Sequence, residues 1–335
     1  MAELSTDSLA PWLVSQLDQL LARQGQAFLL QGPSGLGQYS LGLQLAQSWL
    51  CDAPVNRQAC GQCSSCHAIA VRAHPDLSVL MPETDMLELG WPLNEKAQSE
   101  IDEKKRKPSK EIRVEAARDV VEFAQRTNAR GHGKVVLIFP AERMNSITAN
   151  TLLKTLEEPA GNVRFILASE AVHQLLPTIR SRCQVHAMTW PDELASLEWL
   201  QGQGMPVNDA CTLLKTAGGR PDDAMDFVAS GRDPKVWLKL PKAMATGDAS
   251  LFKDWSMTQV IDALQKLCHD LLVVNVGGNP RFFALPDLPK SASSLALSAW
   301  SAELARCRRT SEHPFNTGLM LEALVSQAQT ALNSS

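Results

Sequence analysis

Residues 32–40, GPSGLGQYS, follow directly on the apolar run 27–30, and they constrain the fold more than any other feature of the chain. A short strand that ends on glycines and enters a helix is the frame of a phosphate-binding loop, G-x-x-x-x-G-K-[ST]. Gly32, Gly35 and Gly37 keep that frame. The two side chains that do its chemistry are gone, because Gln38 stands at the lysine position and Tyr39 at the hydroxyl position. Gln38 has no charge to offer β- and γ-phosphates, and the Tyr39 ring fills the space Mg²⁺ needs. The sequence therefore predicts a nucleotide-binding scaffold without bound ATP.

Downstream segments extend the same architecture. Leu41, Leu43, Leu45, Ala46 and Trp49 suit a buried helix, and residues 12–24 precede the loop with helical spacing. Residues 77–81 read as the next strand and 112–124 as a helix. The run 134–139, KVVLIF, has the apolar, β-branched character of a strand covered on both faces of a parallel sheet. Ala149, Leu152, Leu153 and Leu156 share a helical face that Pro159 stops, and 163–168 is another buried strand. This alternation predicts a parallel α/β domain over residues 1–190. Beyond Pro191 strand signals disappear. The stripe Val260, Ile261, Leu264, Leu267, Cys268, Leu271 and Leu272, with helical patterns at 295–306 and 319–332, predicts all-α structure. We divide it into a small helical domain, 191–238, and a helical bundle, 239–335. Residues 95–111 mix acids with bases and offer no apolar face, so they read as a solvated insertion or mobile loop rather than a nucleic-acid patch.

Four of the eight cysteines cluster as Cys51, Cys60, Cys63 and Cys66, while the others stand singly. Two overlapping C-x-x-C steps in a polar segment present the four soft ligands a tetrahedral Zn²⁺ takes, whereas scattered buried thiols or one redox pair do not cluster this way. Four thiolates leave no open coordination position, so the zinc is expected to be structural, with His67 outside the set. One metal cluster without a disulfide framework suits a reducing cytoplasm. A net charge of −4 argues against gripping nucleic acid alone. No apolar run approaches ~18 residues, so no membrane span is expected. Residues 1–10 carry Glu3 and Asp7 and lack the pattern of a signal peptide.

Two further segments bear on nucleotide chemistry. In an active P-loop protein a strand such as 135–139 ends in an acid that holds Mg²⁺; here it ends in Phe139-Pro140. Glu142 reads as an exposed loop residue rather than a displaced base. Loss of lysine, hydroxyl and carboxylate together argues for a silent site. In the segment 178–183, T-I-R-S-R-C, an arginine taken alone reads first as a surface ion-pair residue.

Together these residues resemble one family over nearly the whole chain: the AAA+ subunits of the bacterial replicative clamp loader. The carriers are the degenerate loop, the four-cysteine insert, the run N-T-L-L-K-T-L-E-E-P at 150–159, F-I-L-A at 165–168 and S-R-C at 181–183. Gly218-Gly219-Arg220 and H-P-F-N at 313–316 add to them. The altered loop points to the delta-prime type rather than the ATP-hydrolysing gamma/tau type. The resemblance implies an AAA+ domain (1–190, zinc insert 51–66), a lid (191–238) and a C-terminal collar (239–335). It implies a hetero-oligomer with gamma/tau and delta subunits that acts on a sliding clamp and primer-template DNA. It also implies that Arg182 is an arginine finger reaching a neighbour's ATP site in trans. Arg220 matches a lid sensor position, where a structural ion pair is an equal alternative, and Glu170 replaces an uncharged polar residue. An active gamma/tau-like ATPase is the rival reading; a zinc redox or nucleic-acid module would leave residues 112–335 without a role.

Overall fold

A computed structural model describes residues 9–289, 293–310 and 316–334. The chain divides into two compact units, Met1–Ala195 and Ser196–Ser335. In the first, five strands form a wholly parallel sheet: β1 (Ala27–Gln31), β2 (Leu77–Leu80), β3 (Lys134–Ile138), β4 (Val163–Ser169) and β5 (Gln184–Ala187), in the order β2-β3-β4-β1-β5. Leu29 pairs with Leu167, and Leu137 with Ile166, so the inner strands place apolar side chains on both faces. That double burial is why they read as continuous apolar runs. The helices are α1 (Pro11–Ala22), α2 (Gln38–Leu50), α3 (Ser64–Ala70), α4 (Glu83–Glu88), α5 (Glu95–Asp102), α6 (Val114–Gln125), α7 (Ser146–Glu157) and α8 (Pro177–Arg180).

Two glycines set how α2 meets the sheet. Gly37 caps α2 in a left-handed conformation, φ 86°, which costs glycine little. A Cβ on Gly42 would come within 2.9 Å of Leu137 Cδ1, so a larger residue there would have to displace that side chain for the helix to lie this close to β3. Ala117, Val120, Leu152 and Leu156, from α6 and α7, close a buried cluster against Val136, Phe165 and Leu167. Strand β5 has one buried residue, His186, and its exposed Gln184 and Val185 suit an edge position that periodicity does not reveal.

The charged stretch 95–111 is not a mobile loop. Its first half is helix α5, capped by Asn94, whose side chain accepts from Ala97 N at 2.8 Å. Ala97 is buried. The Arg106 guanidinium donates to Glu83 at 2.8 Å and to Glu100 at 2.7 Å, and Glu83 accepts from Ser109 N at 2.8 Å. Partners at that separation in the chain, rather than an apolar face, order the segment.

After β5 the described residues are helical: α9 (Glu193–Gly202), α10 (Val207–Thr216), α11 (Pro221–Ala229), α12 (Pro234–Thr246), α13 (Met257–Asn275), α14 (Ser294–Thr310) and α15 (Thr317–Leu332). Helices on both sides of residue 238 share one hydrophobic core, in which Leu213 and Phe227 join Leu240, Leu264, Leu304 and Ala328. Trp237 stacks on Phe283 with ring centroids 4.7 Å apart. Asp270 is fully buried, and its carboxylate accepts from the backbone N–H groups of Arg281, Phe282 and Phe283 at 2.7–2.9 Å. It thereby holds the segment after α13 against the core. His313, Pro314 and Phe315 of the H-P-F-N run lie outside the described residues.

Candidate functional site

The carboxyl ends of β1, β3 and β4 bring the phosphate-loop residues together. Gly32 N donates to Ser169 O at 3.2 Å, which ties the loop to the end of β4. Gln38 is 2% exposed. Its Nε2 donates to Gly32 O at 2.9 Å and Pro33 O at 2.7 Å, so the loop closes around its own side chain. Tyr39 accepts a hydrogen bond from Trp91 Nε1 at 2.7 Å, and its ring lies 5.5 Å from that of Phe139. Arg72 covers the Trp91 ring at 4.9 Å, and burial raises the pKa of the Tyr39 hydroxyl. The residues at the hydroxyl and carboxylate positions of an active site are thus packed on each other. Trp91 and Arg72 leave no mark in the sequence, since an isolated tryptophan in a loop carries no periodic signal.

Glu142 departs from expectation. It is half-buried, and its carboxylate accepts from Glu170 N at 3.0 Å, fastening the turn after β3 to the end of β4.

The four clustered cysteines converge around one point. Cys51 Sγ lies 3.5 Å from Cys60 Sγ and 3.7 Å from those of Cys63 and Cys66, and all four sulfurs fall within 4.8 Å of one another. Sulfurs about 2.3 Å from a tetrahedral zinc lie about 3.8 Å apart, so the donor set fits that ion. Cys51 caps the end of α2, Cys63 caps the start of α3, and Cys66 sits within α3. Backbone N–H groups of Cys60, Cys63 and Cys66 donate to the sulfurs of Cys51, Cys60 and Cys63 at 3.3–3.4 Å. Donation from the backbone of Gln62 and Cys63 draws the Cys60 thiol down to about 6. Asp52 braces the cluster by accepting from Ser65 N at 3.1 Å and Ser65 Oγ at 2.7 Å, and Arg130 donates to Ser64 Oγ at 2.6 Å. The cysteines are free thiols rather than disulfides, and His67 lies outside the cluster.

Arg182 follows α8, in the turn before β5. Its Nε donates to Glu157 Oε1 at 2.7 Å and its Nη1 to Thr178 O at 2.7 Å, while Nη2 also pairs with Glu157. Burial pushes the neighbouring Cys183 thiol up to about 12.

A family model described as DNA polymerase III, delta subunit, matches residues 11–191. A DNA polymerase III subunit delta' of Pseudomonas aeruginosa is 33% identical over 340 residues, covering 95% of this chain and 96% of its own length. The chain belongs to the delta-prime family of DNA polymerase III subunits. The delta' subunit of Escherichia coli K12 is 29% identical, with 79% of each chain covered. The tau subunit of the same organism is 32% identical over 163 residues, 49% of this chain and 21% of tau. A gamma-subunit-related protein of Thermotoga maritima has a TM-score of 0.48 at 15% identity, covering 96% of this chain and 100% of its own.

In this delta-prime family member the predicted residues fall into separate places. Gly32, Gly35, Gly37, Gln38 and Tyr39 form the closed loop, and the cysteines form a knuckle at the end of α2. Arg182 sits with Glu157. Arg220, in the second unit, pairs with Asp223 at 2.6 Å and donates to Ala217 O at 3.0 Å at the start of α11. No described helix is long and apolar enough to cross a membrane.

Proposed function

We propose that this chain is the non-hydrolysing member of a bacterial clamp loader, assembling with gamma/tau and delta subunits to place a sliding clamp on primed DNA. The observation that carries the reading is the filled nucleotide site: Gln38 satisfies the loop carbonyls, and Tyr39 with Phe139 occupies the metal's place. Without an ammonium, a metal-binding hydroxyl or an acid, the electrostatic terms of phosphoryl transfer are missing. The same observation disfavours an active gamma/tau-like ATPase. By role the chain divides into an AAA+ domain (1–190), a lid (191–238) and an oligomerising collar (239–335). Zn²⁺ is the metal of the cysteine cluster and rigidifies the knuckle. The setting is the replisome in the cytoplasm.

In this reading Arg182 acts in trans, stabilising charge on the γ-phosphate of ATP bound to a neighbour. The test is reconstitution with gamma/tau and delta, with this chain present, absent, or carrying Arg182→Ala. The wild-type chain should restore clamp loading. Arg182→Ala should assemble normally, since a half-exposed arginine contributes little to stability, yet lower ATPase and loading. Arginine fingers supply roughly 10³–10⁵ in GTPases, but this one serves a single site among several, so a smaller, clear fall is expected. Arg182→Lys should rescue poorly, because an ammonium lacks the planar fork. Wild-type ATPase and loading by the assembled Ala variant would remove the finger assignment.

A further inference from the structure

The Arg182 guanidinium is engaged within its own chain. Nε and Nη2 both reach Glu157, and Nη1 reaches Thr178 O. Glu157 is the last residue of α7. A carboxylate at a helix C-terminus faces the negative end of the helix dipole and gains from a nearby cation. Arg182 supplies that cation from 25 residues away. The pair is open to solvent, with side-chain exposures of 28% for Arg182 and 46% for Glu157. It is therefore weak enough to exchange partners, because exposed ion pairs contribute modestly. A phosphate of a neighbour's nucleotide is a chemically equivalent partner, since carboxylate and phosphate both accept the guanidinium fork.

We propose that Glu157 is a latch that holds Arg182 in cis and competes with the neighbouring subunit's nucleotide phosphate for it. This rests on the trans role of Arg182 proposed above. Glu157 is a positioning residue: it sets the fraction of fingers free to engage, and that fraction scales the apparent ATP affinity of the site served. Once phosphate has taken the guanidinium, Glu157 no longer competes, so the effect falls on KM rather than kcat.

The test uses the reconstituted complex, ATP as substrate, and four forms of this chain: Glu157→Gln, Glu158→Gln, Arg182→Ala and the double variant Glu157→Gln/Arg182→Ala. Glu157→Gln should lower the KM for ATP at the site served by about two- to fivefold, the span expected of an exposed pair, with kcat unchanged. Glu158→Gln removes the same charge one residue along, where Arg182 makes no hydrogen bond, and should leave KM at the wild-type value. The double variant should match Arg182→Ala. If Arg182→Ala itself has no effect, the finger reading fails and the latch with it. If Arg182→Ala lowers turnover while Glu157→Gln leaves KM unchanged or raises it, the finger stands and the latch is overturned. An equal effect of Glu157→Gln in the Arg182→Ala background also overturns the latch.

Discussion

Putting the missing groups back into the phosphate loop of the isolated chain should separate a silent site from a disguised active one. Gln38→Lys is the mildest step, because an ammonium at that position meets the same two carbonyls, Gly32 O and Pro33 O, that now accept from Gln38. A charged hydrogen bond contributes about 1.5–3 kcal/mol, so ATP binding gains at most roughly ten- to a hundredfold. Turnover should stay at background. Each electrostatic element of a catalytic site supplies about 10²–10³ in rate, so one restored element of three leaves a deficit of at least about 10⁴. The next step, Tyr39→Thr/Phe139→Asp added to Gln38→Lys, opens the metal's place at a cost. It strips the ring packed against Phe139 and leaves the Trp91 indole N–H, now bonded to Tyr39 at 2.7 Å, without a partner. Truncating a buried aromatic costs about 3–5 kcal/mol, and the half-buried Tyr39 and Phe139 should each fall near the bottom of that range. Fluorescent-nucleotide binding and phosphate release, with urea unfolding alongside, follow the series. The reasoning is refuted if Gln38→Lys alone, in protein free of partner subunits, releases phosphate within tenfold of a working loader subunit.

The cysteine knuckle should hold one Zn²⁺ per chain. Chelation should raise hydrogen exchange in residues 51–66 and around Arg130, which bonds Ser64, while β3 and β4 keep their protection because Val136, Phe165 and Leu167 pack in a separate core; metal analysis well below one equivalent would refute this. A pH effect is expected in the second unit, where burial first, then the charges of Asp226 and Asp223, pushes the Asp222 carboxyl up to about 7. A folded-state pKa above the ordinary carboxylate value makes a contribution that is full below that value and lost as pH rises through about 7. Asp222→Asn should thus raise the urea midpoint at pH 8, by about 1–2 kcal/mol of stability, with the gain shrinking as pH falls toward 4. A loss of stability at pH 8 would show that the charged form is favoured there.

The inner strands were legible because burial on both faces removes every polar position from the pattern, as in Val135, Val136, Leu137 and Ile138. The metal ligands were legible because a C-x-x-C turn places its sulfurs by local geometry alone. What is not legible depends on partners distant in the chain. Helix α5 was hidden by its charge, since Arg106 orders the segment through Glu83, 23 residues away. The edge strand β5 needs only one buried side chain and so leaves no alternation to detect. Arg182 was singled out by its motif, but its partner Glu157 was not, because pairing across 25 residues is decided by how α7 and the turn after α8 meet.

The phosphate loop shows a finer limit. In the sequence, Gln38, Tyr39 and Phe139 register as three losses; in the structure they are three replacements that complete one another. A loop that had merely lost its lysine would lack the donor that now serves the Gly32 and Pro33 carbonyls. Gln38 supplies that donor twice over. Tyr39 and Phe139 pack ring against ring, with centroids 5.5 Å apart, and Trp91 satisfies the tyrosine oxygen. The Gly32 N–Ser169 O bond and the Tyr39–Phe139 contact thereby tie the ends of β1, β3 and β4 to one another. A subunit whose proposed task is to present Arg182 to a neighbour gains from that rigidity, since a platform that opened and closed on its own nucleotide would move the finger with it.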